Sequence, residues 1–303
     1  MNPSATPATG TVAVAVAVAV EDIGYGRQFE GWYDRLFPRD ESAAVTAARL
    51  AELHPEPASG TVEFGVGTGR IALPLARRLA APVTGLDSSP EMLAALRAAG
   101  EAEAGVEAPE AVGAVGAVGA VDAVLADIRT YTSERTAGLV YCVCATLSML
   151  LTPEDQRQAV ARAAELLAPG GRFVVETHNK PAVLAAHEGR SRTSYFIPYP
   201  EPGTGLQTHS TLLPENDLWH CAHVWFESDG SSRVGTELSR LTTPDEVDAY
   251  ARAAGLVPEG RSADWLGTPY GEQAPMFVST YVKPVAAPVA ADPAGTGGAG
   301  APA

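Results

Sequence analysis

Residues 62–76, VEFGVGTGRIALPLA, decide the fold of this 303-residue chain. An apolar run with an acid near its end, Glu63, gives way to glycines at every second position, Gly65, Gly67 and Gly69, and then to a helical pattern. Glycine serves where the backbone takes positive φ, or where a ligand lies against it with no Cβ between. The helix that follows turns its free N–H groups and positive dipole end toward that ligand. Strand, glycine turn and helix together predict a nucleotide-type pocket. The dinucleotide fingerprint Gly-x-Gly-x-x-Gly is broken, because Arg70 stands three residues past Gly67 and Gly69 comes one step early. That departure favours a ligand with no pyrophosphate to cradle.

The flanking segments supply acids where such a pocket needs them. PVTGLDSSPEML (82–93) reads as a strand ending in Asp87, followed by a helix with Ser88, Ser89 and Pro90 at capping and first-turn positions. Asp87 lies 20 residues after Gly67, the spacing at which a second-strand carboxylate accepts hydrogen bonds from ribose hydroxyls. A third strand, AVDAVLADIRTY (120–131), ends near Asp127 and Ile128, where a side chain and a main-chain N–H suit an adenine edge. GLVYCVCATLSMLL (138–151) and LLAPGGRFVVETH (166–178) read as the fourth and fifth strands.

On these motifs the chain resembles the class I S-adenosylmethionine-dependent methyltransferases over roughly residues 25–180, with a tail near 242–283. The resemblance implies an α/β, Rossmann-like sheet of seven strands with the last one antiparallel, N-terminal helices, and an inserted antiparallel β lid. It implies S-adenosylmethionine as the cofactor. The methionine part falls to Glu63, Gly65, Gly67 and Gly69, with Arg70 facing the amino acid carboxylate. The ribose falls to Asp87 with Ser88 and Met92 beside it, the adenine to Asp127 and Ile128, and the strand-4 loop contributes Cys144. Many relatives carry Asn or Asp where this chain has Ala145. A tyrosine on an N-terminal helix often covers the cofactor in small-molecule members. Tyr33 suits that position best and Tyr25 second.

Composition narrows the partners. The net charge is −15, with 21 basic against 36 acidic residues and no basic run, which argues against a phosphate-backbone partner. Apolar residues make up 46% of the chain, ample for a core. The three cysteines, Cys142, Cys144 and Cys221, cannot all pair. Cys142 and Cys144 alternate on one strand, and their spacing is not that of a metal site, so reduced thiols, a cytoplasmic location and no metal are expected. The apolar run in residues 1–20 has no basic residue before Arg27 and about half the ~20 residues of a membrane span, so neither membrane nor secretion is expected. The partner is a small-molecule acceptor, and monomer or homodimer is left open.

The pattern divides the chain into a disordered leader (1–20), a cofactor domain (21–180 and 241–283), a β-meander lid (181–240) and a disordered tail (284–303). An Ala-Val-Gly repeat within 101–120 reads as a low-complexity loop. Helices are expected over 27–37 and 40–53, the first with Phe29, Trp32, Tyr33 and Leu36 along one face. Another spans 152–171, capped by Thr152 and stopped by Gly170. GLQTHSTLL, DLWHCAHVWFES and SSRVGTELSRL form the meander, with turns at 214–217 and at Asp229-Gly230. Of the two faces of the middle strand, the smaller, more apolar one (His220, Ala222, Val224, Phe226) is expected to be core. The face with Trp219, His223 and Trp225 is left as either the roof of an acceptor pocket or a half-exposed surface.

Transfer of a methyl group from a sulfonium needs collinear positioning and exclusion of water more than covalent help. A hydroxyl or ammonium acceptor also needs a base. Glu176 and His178, two apart at the end of the fifth strand, lead the catalytic candidates, followed by Tyr25 and His209. The aromatic lid suggests a planar or apolar acceptor methylated on oxygen, nitrogen or carbon. The competing readings are an NAD(P)-dependent oxidoreductase and a protein that binds S-adenosylmethionine without catalysis.

Overall fold

The computed structural model describes residues 20–106 and 121–285, so the leader (1–19), most of the repeat (107–120) and the end of the tail (286–303) lie outside the described residues. The strands are β1 (Thr61–Phe64), β2 (Val83–Asp87), β3 (Val121–Leu125), β4 (Ala137–Cys142), β5 (Leu167–His178), β6 (Arg192–Pro198), β7 (Gly205–Leu213), β8 (Leu218–Phe226), β9 (Ser232–Arg240), β10 (Val257–Ser262) and β11 (Met276–Val282). The helices are α1 (Tyr25–Phe29), α2 (Tyr33–Leu36), α3 (Glu41–Leu53), α4 (Ala72–Leu79), α5 (Pro90–Val106), α6 (Pro153–Leu166), α7 (Lys180–Ala186) and α8 (Pro244–Ala253).

Seven strands form one sheet in the order β10-β11-β5-β4-β1-β2-β3. β1 to β5 pair in parallel, while β11 runs antiparallel to both β5 and β10. Both faces of the parallel part are covered, and every residue of β1 and β4 is buried. One face packs Phe64, Leu86, Val140, Phe173 and Phe277 against the apolar stripes of α6 and α8. The other packs Tyr141, Leu139, Val174 and Val66 against α3 and α4 through Leu50 and Leu75. α8 begins in a reciprocal cap, with Thr243 and Glu246 each satisfying the other's backbone N–H.

A separate antiparallel sheet, β6-β7-β8-β9, follows β5 as the meander expected for a lid, with turns at the two anticipated places. Its inward face is set by direct pairing: Trp219 opposite Ser239, Cys221 opposite Glu237, His223 opposite Gly235. Gly235 is what lets the N-terminal segment dock there, since a Cβ would sit 3.0 Å from the Phe29 ring and 3.1 Å from Trp32. Phe29, Trp32, Trp225 and Met92 form a third, small core between lid and cofactor domain.

Several sequence expectations need correction. The helix over 27–37 is two short pieces, because Gly31 takes φ +77° between them and turns the chain. Residues 101–106 belong to α5 rather than to a loop. α6 ends at Leu166, four residues before Gly170, whose φ of +81° lies inside β5. The lid region opens with α7, and it contains β6, an edge strand whose consecutive RTSYFIP run carries no alternation to betray it. The faces of β8 are the reverse of the expected ones: Cys221 and Trp225 are buried, while Phe226 is exposed. Cys142 and Cys144 do not share a strand face, because β4 stops at Cys142 and Cys144 has turned to φ +53°.

Candidate active site

At the carboxyl ends of the parallel strands lies a cavity of about 370 Å³, in the range of a small-ligand site and at the place where open α/β sheets bind. Its floor comes from the tips of β1 to β4, its cover from the N-terminal segment and its far wall from the lid and the β5–β11 edge. Thirteen of the sixteen residues singled out from the sequence line this cavity; Gly69, Glu176 and His209 do not.

The glycine turn does three separate jobs. Gly67 (φ +54°) has nothing within 4 Å of where a Cβ would stand, so its bare backbone faces the cavity. Gly65 (φ +73°) makes room for Thr146 of the strand-4 loop, whose methyl would lie 2.3 Å from an added Cβ. Gly69 (φ +81°) does not line the cavity. Its missing Cβ admits Leu96 of α5 at 2.3 Å, a packing role in place of the cofactor contact expected of it.

Asp87 closes the turn. Its Oδ2 accepts from the Gly67 N–H (2.8 Å) and its Oδ1 from the Ser89 N–H (2.9 Å). Burial raises its pKa against the pull of these donors. Ser88 and Met92 line the cavity beside it. Glu63 is buried at the floor, accepts from the Tyr141 hydroxyl (2.8 Å), and is pushed up by burial. Asp127 and Ile128 form the opposite wall. Burial works against the Asp127 carboxylate, but hydrogen bonds from Arg129 outweigh it and hold its pKa below the ordinary value. Arg129 is fixed in turn by Asp155 (2.5 Å).

Tyr25 and Tyr33 both cover the cavity, edge-to-face with each other at 6.1 Å, and burial raises both phenols. Arg70 reaches the rim with Nε on the Pro38 carbonyl (3.0 Å) and one terminal nitrogen on Ser42 Oγ (2.7 Å). Its other terminal nitrogen is turned to Cys144, whose thiol is pushed up to about 12 by burial. Together, a bare backbone, a strand-tip carboxylate 2.8 Å from it, an apolar slot at Met92 and Ile128 and an aromatic cover fit an adenosyl amino acid.

The catalytic candidates separate. His178 lines the cavity, and its ring packs edge-on against Trp219 of the lid at 4.9 Å. Burial lowers its pKa, opposed by the charge of Glu237, so the imidazole is neutral at pH 7. Glu176 sits two residues deeper on β5, with Oε2 accepting from the Cys144 N–H (2.9 Å) and Oε1 from Trp265 Nε1 (2.7 Å). With both oxygens engaged, it braces the strand-4 loop, where Cys144 and Ala145 hold consecutive left-handed conformations, and is not placed as a base. His209 is exposed on the outer face of the lid, bonded to Ser194 (2.8 Å), because register pairs it with Ala222 on the side away from the cavity.

Glu237, Ser239, Met149 and Met276 also line the cavity and were not singled out from the sequence. For Glu237 and Ser239 the local signal is the alternation that puts Gly235, Glu237 and Ser239 on one face of β9. Among the described residues, Cys221, His223 and Glu237 bring one ligand atom each within 4.8 Å of one another and could hold a metal ion. Cysteine spacing, on which the expectation of no metal rested, could not reveal a group assembled across two strands.

A family profile described as "Methyltransferase domain" matches residues 62–171, from β1 into β5. Among solved structures, the CcbJ methyltransferase of Streptomyces caelestis is similar at 27% identity and a TM-score of 0.73, covering 86% of this chain and 98% of that one. An S-adenosylmethionine-dependent methyltransferase of Clostridium acetobutylicum shares the fold at 13% identity and a TM-score of 0.67, covering 84% and 96%. So does CalS10, an amino pentose methyltransferase from Micromonospora echinaspora involved in calicheamicin biosynthesis and solved with S-adenosylmethionine bound, at 23% identity and 0.57, covering 82% and 95%. None of the curated proteins matches the chain in sequence. The nicotinamide and non-catalytic alternatives give way to these matches. The strand order, the Gly67–Asp87 junction and the profile match agree: the chain carries a methyltransferase domain over residues 62–171 on the class I fold, and it is an S-adenosylmethionine-dependent methyltransferase.

Proposed function

We propose that this enzyme methylates a small, ring-bearing acceptor in bacterial specialised metabolism, with His178 taking the acceptor's proton. The single observation that supports the reading most is the imidazole of His178 in the wall of the cofactor cavity, edge-on to a lid tryptophan, where burial lowers its pKa. The acceptor enters between the lid and the tips of β4 and β5. Met149 and Met276 give that side soft, adaptable apolar walls suited to an aromatic or other planar body. The role of CalS10 in calicheamicin biosynthesis supports the metabolic setting. We place the enzyme in the cytoplasm on its free thiols; among the described residues no helix is long and apolar enough to cross a membrane.

When bound, S-adenosylmethionine supplies an electrophilic methyl group with a thioether leaving group. The protein's share is to hold donor and nucleophile in line about 3–3.5 Å apart, to exclude water, and to remove a proton. Thermal shift tests the donor site: S-adenosylhomocysteine should raise Tm, whereas NAD and NADP should not, and the reverse pattern would overturn the assignment. Incubation with labelled S-adenosylmethionine and a panel of phenols, amines and indoles tests the transfer; no labelled product from any of them would count against it.

Gly26 provides a check on the cover. A Cβ there would fall 2.0 Å from Ser89 Oγ and 3.1 Å from Met92 Cγ, forcing α1 off the start of α5. Overpacking of this sort costs about 1–3 kcal/mol, so Gly26→Ala should weaken S-adenosylhomocysteine binding roughly tenfold by calorimetry. Unchanged affinity would mean that the N-terminal segment does not close the cofactor site.

A further inference from the structure

The acids around the cavity are not alike. Glu63 is held by Tyr141, Asp87 by two backbone N–H groups, Asp127 by Arg129, and Glu176 by the Cys144 N–H and Trp265. Glu237 has no such partner among the described residues. Its side chain is 17% exposed, and its one charged neighbour within 4 Å is His223, whose Nε2 lies 3.5 Å from Oε1, at the outer limit of a hydrogen bond. The other nitrogen of His223 is already bonded to Thr208 Oγ1 (3.0 Å). A largely buried carboxylate with its oxygens unspent calls for a donor from elsewhere.

Its place in the fold says where that donor comes from. Glu237 lines the cofactor cavity and also a second cavity of about 250 Å³, formed between α1 and β9 by Gln28, Leu151, His220, Thr236 and Leu238. The two share Ile23, Tyr25, Met149 and Glu237 as their common wall. None of the glycine-turn or strand-tip residues reaches the second cavity, so it lies on the acceptor's side. The charge of Glu237 is also felt by both Tyr25 and His178.

Resting on the methyl-transfer reading above, we propose that the acceptor is an amine: its ammonium docks on Glu237, and the rest of its body extends into the second cavity. The carboxylate collects the protonated amine, which is the abundant form at neutral pH but has no lone pair. His178 removes one N–H proton. The freed lone pair forms the N–CH3 bond as the C–S bond breaks, its electron pair leaving with sulfur, and the proton passes from imidazolium to solvent. The product is an N-methylammonium, and charge and atoms balance without any further reagent.

The test uses protein loaded with S-adenosylhomocysteine and matched probe pairs: n-alkylamines and n-alkanols of equal length, and 2-phenylethylamine with 2-phenylethanol. Binding is read from the fluorescence of the lid tryptophans. The amine of at least one pair should bind about tenfold or more tightly than its alcohol, as a charge-assisted hydrogen bond predicts. That preference should vanish in Glu237→Gln and survive in Glu237→Asp. Equal affinity within every pair, absence of binding by all the amines included, overturns the proposal, as does a preference that persists in Glu237→Gln. A separate arm measures S-adenosylmethionine and S-adenosylhomocysteine affinity in Glu237→Gln. A selective loss for the sulfonium, with the amine preference intact, would assign the carboxylate to the cofactor and overturn the amine site. Neither arm depends on turnover, so these failures are distinct from a failure of methyl transfer itself.

Discussion

Asp87→Ala is expected to remove measurable S-adenosylhomocysteine binding in calorimetry while circular dichroism stays native. Each oxygen of this carboxylate accepts a backbone N–H, at 2.8 Å from Gly67 and 2.9 Å from Ser89, so the side chain both shapes the glycine turn and presents remaining lone pairs to ribose hydroxyls. Hydrogen bonds to a charged group contribute roughly 1.5–3 kcal/mol each, and losing two of them lowers affinity by about 10²-fold or more. The fold should survive, because Asp87 is the last residue of β2 and the buried Val83 and Leu86 carry that strand's packing. Ligand hydroxyls need the ionised form as acceptor. Burial has raised this carboxyl's pKa, so affinity should decline on acidification sooner than an ordinary aspartate would predict. Unchanged affinity in the variant would remove the ribose assignment.

His178→Ala is expected to act on the other half of the reaction. General-base contributions are typically 10²–10⁴-fold, so kcat should fall by about that factor while S-adenosylhomocysteine affinity moves little. The pH profile makes the assignment specific. The imidazole is basic only when neutral, and burial lowers its pKa below the ordinary value. Activity should therefore hold at neutral pH and fall only below pH 6.5 as the ring takes up its proton. The variant should lose that acid limb as well as the rate. Full turnover in His178→Ala, or an unaltered acid limb, would place the proton acceptor elsewhere.

The cofactor half of this site was legible in the sequence because its demands are local. A bare backbone at Gly67 and an acid at the tip of β2 leave marks within 25 residues, and the structure joins them by one hydrogen bond. Other assignments turned on distant neighbours. Gly69 carries the same letter as Gly67, but its space is filled by Leu96 of a different helix. Glu176 looked like a free acid beside His178; its partner Trp265 is 89 residues away. His209 and Glu237 both sit on lid strands, and register alone turns one to solvent and the other to the cavity. Alternation gives the two faces of a strand but not which one is roofed over, and on β8 the bulkier face proved to be the covered one.

The N-terminal segment touches everything that must open. Gln28 takes two hydrogen bonds from Thr236 of β9, Arg35 forks onto Glu227 and stacks over Trp225, and the same stretch lays Tyr25 and Tyr33 over the cofactor cavity. Lid and cover are thus tied to each other over both cavities. A cover shared in this way predicts that turnover shows the product-inhibition pattern of a compulsory order of departure, in which the molecule nearer the lid leaves first.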